Sequence, residues 1–229
     1  MSNERNQVLI ERRGDVQWIT INRPDQRNAI NESVLAQIRK AILEINNDPT
    51  ARAIVLTGAG DRAFCAGADL KAEGSASPVK PDMAATHNPL TQLFRAFEAC
   101  NLPILARING HVPAGGMGLL CGCDLAVASE NAKFGVPEVK IGLFPMQILG
   151  YMLRLVPRRK LMEMCMTGDP FTAQEALEMG LLNYVVPPEE LDEKVDWLLG
   201  RLLTQSPTAL RHGKNGVHAI QDMPLQQAF

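Results

Sequence analysis

Two short β-rich runs, VLIERR and VQWITIN, flank the pair Gly14-Asp15 and predict an N-terminal hairpin. The apolar rhythm then lengthens. Ile30, Val34, Ile38, Ile42 and Ile45 recur at helical spacing behind Asn31, a residue suited to an N-cap. AIVLTG (53–58) is a short apolar run closed by glycine, the form of a buried strand; ILARING (104–110) repeats it after a helix near 90–100, and DLAVAS (124–129) makes a third. The stretch 71–89 is polar, proline-bearing and aperiodic, which predicts a long surface loop placed as a substrate lid. Beyond Phe134, helical spacing at 147–155, 158–166, 172–179 and 188–204 predicts an α-rich appendage whose Met152, Leu155, Met162, Met166, Leu198 and Leu202 make core or subunit contacts.

One echo stands out of this pattern. The strand ending at Gly58 runs on to FCAGADL, and the strand ending at Gly110 runs on to HVPAGGMGLL, so an Ala-Gly pair recurs where a strand hands over to a helix. If the two strands are parallel neighbours, both turns lie on the sheet edge where open α/β structures bind ligands. A glycine turn entering a helix exposes backbone N–H groups without intrahelical partners, and two such turns side by side make an oxyanion site.

Phosphate binding is the competing use. Gly110 and Gly115 have the spacing of a phosphate loop, but Gly116 stands where lysine is required. GAGDRA (58–63) matches a dinucleotide fingerprint, yet Phe64-Cys65-Ala66-Gly67 interrupts the helix that should follow. No G-x-S-x-G elbow is present, and His87, His111, His212 and His218 pair with no obvious nucleophile.

Composition narrows the setting. With 229 residues, 46% hydrophobic and 21% charged, the chain can bury one large core, and its net charge of −2 offers no general attraction to nucleic acid or anionic membrane. Arg154, Arg158, Arg159 and Lys160 form the one basic cluster, expected as a solvated helix edge; RNA binding through it is the alternative from a different class. Neither a signal-peptide core nor an apolar run of membrane-spanning length occurs, so a cytoplasmic, reducing setting is expected. Cys65, Cys100, Cys121, Cys123 and Cys165 are odd in number and sit in apolar contexts, which predicts buried free thiols and no metal site.

An oxyanion site needs a partner that moves protons. In FGVPEVKIGLFP (134–145), Glu138 has Phe134, Val136, Val139, Ile141 and Phe144 for neighbours, and desolvation there would raise its pKa into the range of a general acid or base. The alternative is a surface glutamate paired with Lys140.

RPDQRNAIN, AFCAGADL, INGHVPAGGMGL, CDLAVAS and FGVPEVKIGLFP, in this order and spacing, resemble the crotonase superfamily, the enoyl-CoA hydratase/isomerase family. The resemblance runs from about residue 7 to the end of the chain. It implies an α/β fold, a spiral of ββα units over residues 1–145 followed by a helical trimerisation region over 146–229, assembled as a homotrimer or a dimer of trimers. It implies an acyl-CoA substrate, with coenzyme A as part of that substrate and no separate cofactor. The enolate oxygen would be held by the N–H groups of Ala68 and Gly115, with Glu138 as acid/base. Arg27, Ala29, Ala66, Asp69 and Leu70 would lie along the coenzyme A moiety, and Gly116 and Gly118 along the acyl thioester.

The sequence also departs from the family pattern. Hydratases of the family hold water between two glutamates; the second matches Glu138, but the first position is Gly118, and the next acid, Asp124, begins a strand. A single carboxylate resembles the Δ3,Δ2-enoyl-CoA isomerase branch, since shifting a double bond needs one base that takes a proton and returns it elsewhere. The dienoyl-CoA isomerase branch adds an aspartate where Met146 stands. A small residue at 118 is also expected to leave room for a bulky or branched acyl group or for a water, keeping a hydratase of such substrates as the alternative. The chain ends at PLQQAF, short of the terminal helices usual in the family, and truncation at this end is expected.

Overall fold

The computed structural model describes residues 7–69 and 88–228. The expected lid falls almost wholly on 70–87, outside the described residues. The hairpin forms as the pattern predicts: β1 (Val8–Arg13) and β2 (Val16–Ile21) pair antiparallel around Gly14, whose φ of +57° suits a glycine. The next strand, β3 (Ala53–Gly58), lies parallel to β2, and β4 (Ile104–Ile108) parallel to β3. This is the adjacency that the two Ala-Gly turns required. A two-residue β5 (Val112–Pro113) precedes β6 (Leu125–Ser129), β7 (Lys133–Gly135), β8 (Phe171–Thr172) and β9 (Tyr184–Val186). The main sheet runs β1-β2-β3-β4-β6-β9, and β5-β7-β8 form a second, small sheet.

Alternation along the strands divides the interior in two. Ile54 and Leu56, Ile104 and Ala106, and Ala126 and Ala128 face one apolar cluster, while Ala53 and Val55, Leu105 and Val127 face another. Strands buried on both faces explain the continuous apolar runs. The first cluster is roofed by α1 (Glu32–Asn46) and α2 (Pro89–Ala99), capped by Asn31 and Asn88, whose side chains accept from Val34 N and Thr91 N. Ile30, counted with the helical rhythm, instead precedes α1 and bridges to Ala68.

The helical half holds α3 (Gly115–Cys121), α4 (Leu149–Leu155), α5 (Arg158–Thr167), α6 (Ala173–Glu178), α7 (Leu191–Leu203) and α8 (Pro207–Ile220). Residues beyond 145 contribute to the main sheet as well as to helices. β9 is the sixth strand of the main sheet, and Leu191, Val195, Leu198 and Leu199 of α7 cover its second face. Short strands such as β8 and β9 carry too few residues to show a period of two.

The last helix was not expected, and it buries no residue completely. Polar anchors hold α8 instead: Arg211 donates to the carbonyls of Asn46, Asp48 and Ala51, and Lys214 Nζ donates to Leu102 O at 2.9 Å and Asp124 Oδ2 at 2.7 Å. Asp124, which also accepts from Ile104 N, is thus engaged in tying α8 to the sheet. Only 8% of the Lys214 side chain is exposed. Replacing Lys214 by Met should strand the Asp124 charge and cost about 3 kcal/mol in urea unfolding, with a smaller loss in the Lys214→Met/Asp124→Asn double variant.

Candidate active site

The two glycine turns meet. Ile30 N donates to Gly67 O (2.8 Å) and Asp69 N to Ile30 O (2.9 Å), a parallel bridge that consumes the backbone groups on either side of Ala68. In extended backbone successive N–H groups point to opposite edges, so the Ala68 N–H faces away from Ile30. Opposite it stands the start of α3: a Cβ placed on Gly115 would lie 3.7 Å from Ala68 N and 3.4 Å from Gly67 Cα. Neither the Ala68 nor the Gly115 N–H has an acceptor among the described residues. Two unpaired donors therefore lie on turns in close contact.

The approach depends on missing side chains. Gly67 has φ +81°, and a Cβ on it would come within 2.8 Å of Ala114 Cβ and 2.9 Å of Gly115 N. A Cβ on Gly116 would overlap the Cys65 carbonyl oxygen, so this glycine makes room for the facing turn. The described non-glycine residues with positive φ are Arg27, Asn28 and Ala114, all beside these turns, where backbone strain is characteristic of functional sites.

Two buried asparagines, which sequence reasoning passed over, hold the loop that leads into the first turn. Asn28 Nδ2 donates to Ala59 O and Ala63 O, and its Oδ1 accepts from Arg23 N. Asn109 Oδ1 accepts from Gly58 N, and its Nδ2 donates to Gly60 O. Their positions in RPDQRNAIN and INGHVPAGG were the available signal.

The small sheet ties the segment that carries Glu138 to the start of α3. Val112 pairs with Phe134 and Pro113 with Gly135, and Ala114 N donates to Gly135 O (2.9 Å), so Gly115 and Glu138 follow the ends of one short ladder. Glu138 sits in a 3-10 turn, Pro137–Ile141. Its Oε2 is buried without a hydrogen-bond partner among the described residues, and burial pushes its pKa up. The ordinary surface reading fails, because Lys140 pairs with Asp169 (3.2 Å). The expected apolar surround is only partly present: Phe134 and Val136 are buried, but Ile141 and Phe144 are exposed.

The other expected ligand residues divide. Arg27 and Ala66 are joined by Ala66 N to Arg27 O (3.0 Å) and line a cleft of about 610 Å³ with Arg62, Pro113 and His111. Ala29 is buried, and its carbonyl accepts from Arg23 Nη1. Asp69 is ion-paired with Arg23 (2.7 Å), and Leu70 lies outside the described residues. Gly118 does not open space for a bulky group or a water. A Cβ there would stand 2.6 Å from Ile148 Cγ2 and 2.8 Å from Phe94 Cζ, and Tyr151 braces Phe94 edge-on while donating to its carbonyl (3.0 Å).

The thiols are free as expected, although Cys123 is only partly buried. His111 is a loop residue whose Nδ1 accepts from Lys133 N. In the basic cluster, Arg154 pairs with Asp222 and Lys160 with Glu163. Among the described residues, no helix is long and apolar enough to cross a membrane.

Two turns with unpaired backbone donors and a carboxylate with one buried, unpartnered oxygen thus sit on a mixed α/β frame. The family model for enoyl-CoA hydratase/isomerase matches residues 11–229, and the chain belongs to that family. It is 36% identical to a crotonyl-CoA hydratase of Syntrophomonas wolfei, over 97% of this chain and 85% of that protein. A short-chain-enoyl-CoA hydratase of Clostridium acetobutylicum is 33% identical, over 99% of this chain and 86% of its own. The crystal structure of an enoyl-CoA hydratase from Mycobacterium smegmatis superposes with a TM-score of 0.90 at 31% identity, covering 97% of this chain and 86% of that one.

Two outcomes test the packing and the charge state described. Gly118→Ala should lose about 1–2 kcal/mol in denaturant unfolding, because overpacking against Ile148 and Phe94 outweighs the gain in helix propensity. A raised Glu138 pKa means that the folded state holds this proton more tightly than the unfolded chain. Its contribution to stability therefore falls as pH rises from the ordinary 4.5 through the raised value. Glu138→Gln should accordingly melt above the wild type at pH 7 and lose that advantage at pH 4.

Proposed function

We propose that the protein acts on an enoyl-CoA thioester, whose carbonyl oxygen lies between the N–H groups of Ala68 and Gly115 while Glu138 moves the proton. Two observations carry this reading together: the close approach of two turns with unpaired donors, and a buried Glu138 oxygen without a partner among the described residues, on a segment laddered to one of those turns. Each such donor is typically worth about 2.7–4 kcal/mol to an oxyanionic transition state, provided it is already in place when charge develops.

The reaction favoured is migration of a double bond. Glu138 takes a proton from the carbon between the thioester and a 3,4-double bond, the electron pair passes into a dienolate whose oxygen is held by the two donors, and Glu138 returns the proton at C4 to give the conjugated 2-enoyl thioester. One carboxylate suffices for this, and the position of a second is Gly118, roofed by Ile148 and Phe94. Hydration of a 2-enoyl thioester is the second reading, favoured by the hydratase names of the relatives. Arg27 and Arg62 at the cleft suit the phosphates of coenzyme A, with Ala29, Ala66, Leu70 and the Asp69 backbone along the same moiety. Assembly as a trimer or dimer of trimers belongs to the same proposal, supported by exposed apolar side chains of the helical half such as Leu153, Leu155 and Met166.

Absorbance at the conjugated-thioester band decides between the two. With 3-hexenoyl-CoA the protein should generate absorbance, and Glu138→Gln should lower that rate by about 10²–10⁴-fold. The acid limb of kcat/KM should lie above the ordinary glutamate range, since the base works ionised and its pKa is raised. Loss of absorbance from crotonyl-CoA without isomerisation would select hydration, and an active Glu138→Gln enzyme would remove Glu138 as the base.

A further inference from the structure

We propose that Arg23 is a positioning residue for the Ala68 donor, acting through a clamp on the segments that carry it. This rests on the oxyanion reading and extends it to a side chain that the reaction itself does not use.

The ladder that orients Ala68 is minimal. It consists of one bridge, Ile30 to Ala68, with the two backbone hydrogen bonds to Gly67 O and from Asp69 N. So short a pairing has little stability of its own. The Arg23 guanidinium supplies what it lacks: Nη1 donates to Ala29 O, one residue before the bridge on one segment, and Nη2 donates to Asp69 Oδ2, one residue after it on the other. The fork thus spans both segments at the bridge. Its own base is fixed, because Arg23 N donates to Asn28 Oδ1 (3.0 Å) and Asn28 in turn holds the 59–63 loop.

Burial makes the clamp stiff. The Arg23 and Asp69 side chains are 13% and 14% exposed, so water competes weakly for either end. A planar guanidinium can satisfy two acceptors in a fixed relation, whereas a lysine ammonium at the same place can neutralise Asp69 but cannot set the same angle between Ala29 and Asp69. The consequence is directional. Loosening the clamp leaves the Ala68 N–H present but poorly aimed, which weakens binding of the charged oxygen in the transition state more than binding of the ground-state thioester.

The test compares Arg23→Met and Arg23→Lys with the wild type, using the turned-over enoyl-CoA and the absorption spectrum of bound 2,4-hexadienoyl-CoA, whose red shift reports polarisation of the thioester carbonyl. Arg23→Met should lower kcat roughly 10- to 100-fold while KM changes by less than about 3-fold, and should shrink the red shift. Arg23→Lys should recover stability and only part of kcat. If Arg23→Met fails to fold because Asp69 loses its guanidinium partner, the Arg23→Met/Asp69→Asn double variant removes both charges and should show the same loss of kcat and red shift. A folded variant with unchanged kcat and red shift, or one altered only in KM, would overturn the positioning role. A wild-type complex without any red shift would instead overturn the oxyanion reading on which it rests.

Discussion

The site depends on one close approach, the passage of the Gly67 turn against the first residues of α3. Two backbones come into contact there because Gly67, Gly115 and Gly116 present no Cβ between them, and Ala114 takes up a positive φ to bring its chain into line. Once that contact is made, the directions of the donors follow. The Ile30 bridge uses the backbone groups on either side of Ala68, which leaves the Ala68 N–H unpaired on the side away from Ile30. The parallel pairing of β3 with β4 delivers both turns to the same edge of the sheet, so the main core and the candidate chemistry share one cause.

Around this contact, polar groups are placed where packing alone would be too loose. Asn28 and Asn109 bind the loop between Gly58 and Ala63, Arg23 joins the two bridged segments, and Asp124 with Lys214 ties the final helix to the sheet. Each is a buried or half-buried group with its partners satisfied, the condition under which polar residues specify a unique arrangement. Glu138 breaks that rule: its buried oxygen has no hydrogen-bond partner among the described residues. An uncompensated carboxylate is costly to a fold and useful to a catalyst, since the same desolvation that destabilises its charge brings its pKa toward neutrality.

Much of this was legible along the chain. The hairpin, α1 with its Asn31 cap, the three buried strands and the helices from α4 to α7 each announce themselves by period, capping residue or glycine stop. The short strands β5, β7, β8 and β9 do not, because two or three residues show no period and their existence depends on distant partners. Helix α8 escaped for a related reason: with no fully buried residue, it is anchored by arginine and lysine side chains that look like ordinary surface charges. At Gly118 only the expectation of open space fails. A glycine in a sequence suggests space, and only the fold shows that Ile148 and Phe94, distant from it in sequence or on another helix, have taken it.

By itself the sequence determined the family, the two donor turns and the identity of the candidate base, because these reside in contiguous motifs whose backbone chemistry is local. Tertiary structure decided the rest. That the turns face each other, that Lys140 leaves Glu138 for Asp169, that Arg23 spans Ala29 and Asp69, and that no room exists over Gly118 are all relations between residues far apart in the chain. Such relations are fixed by packing and burial, which no single stretch of residues encodes.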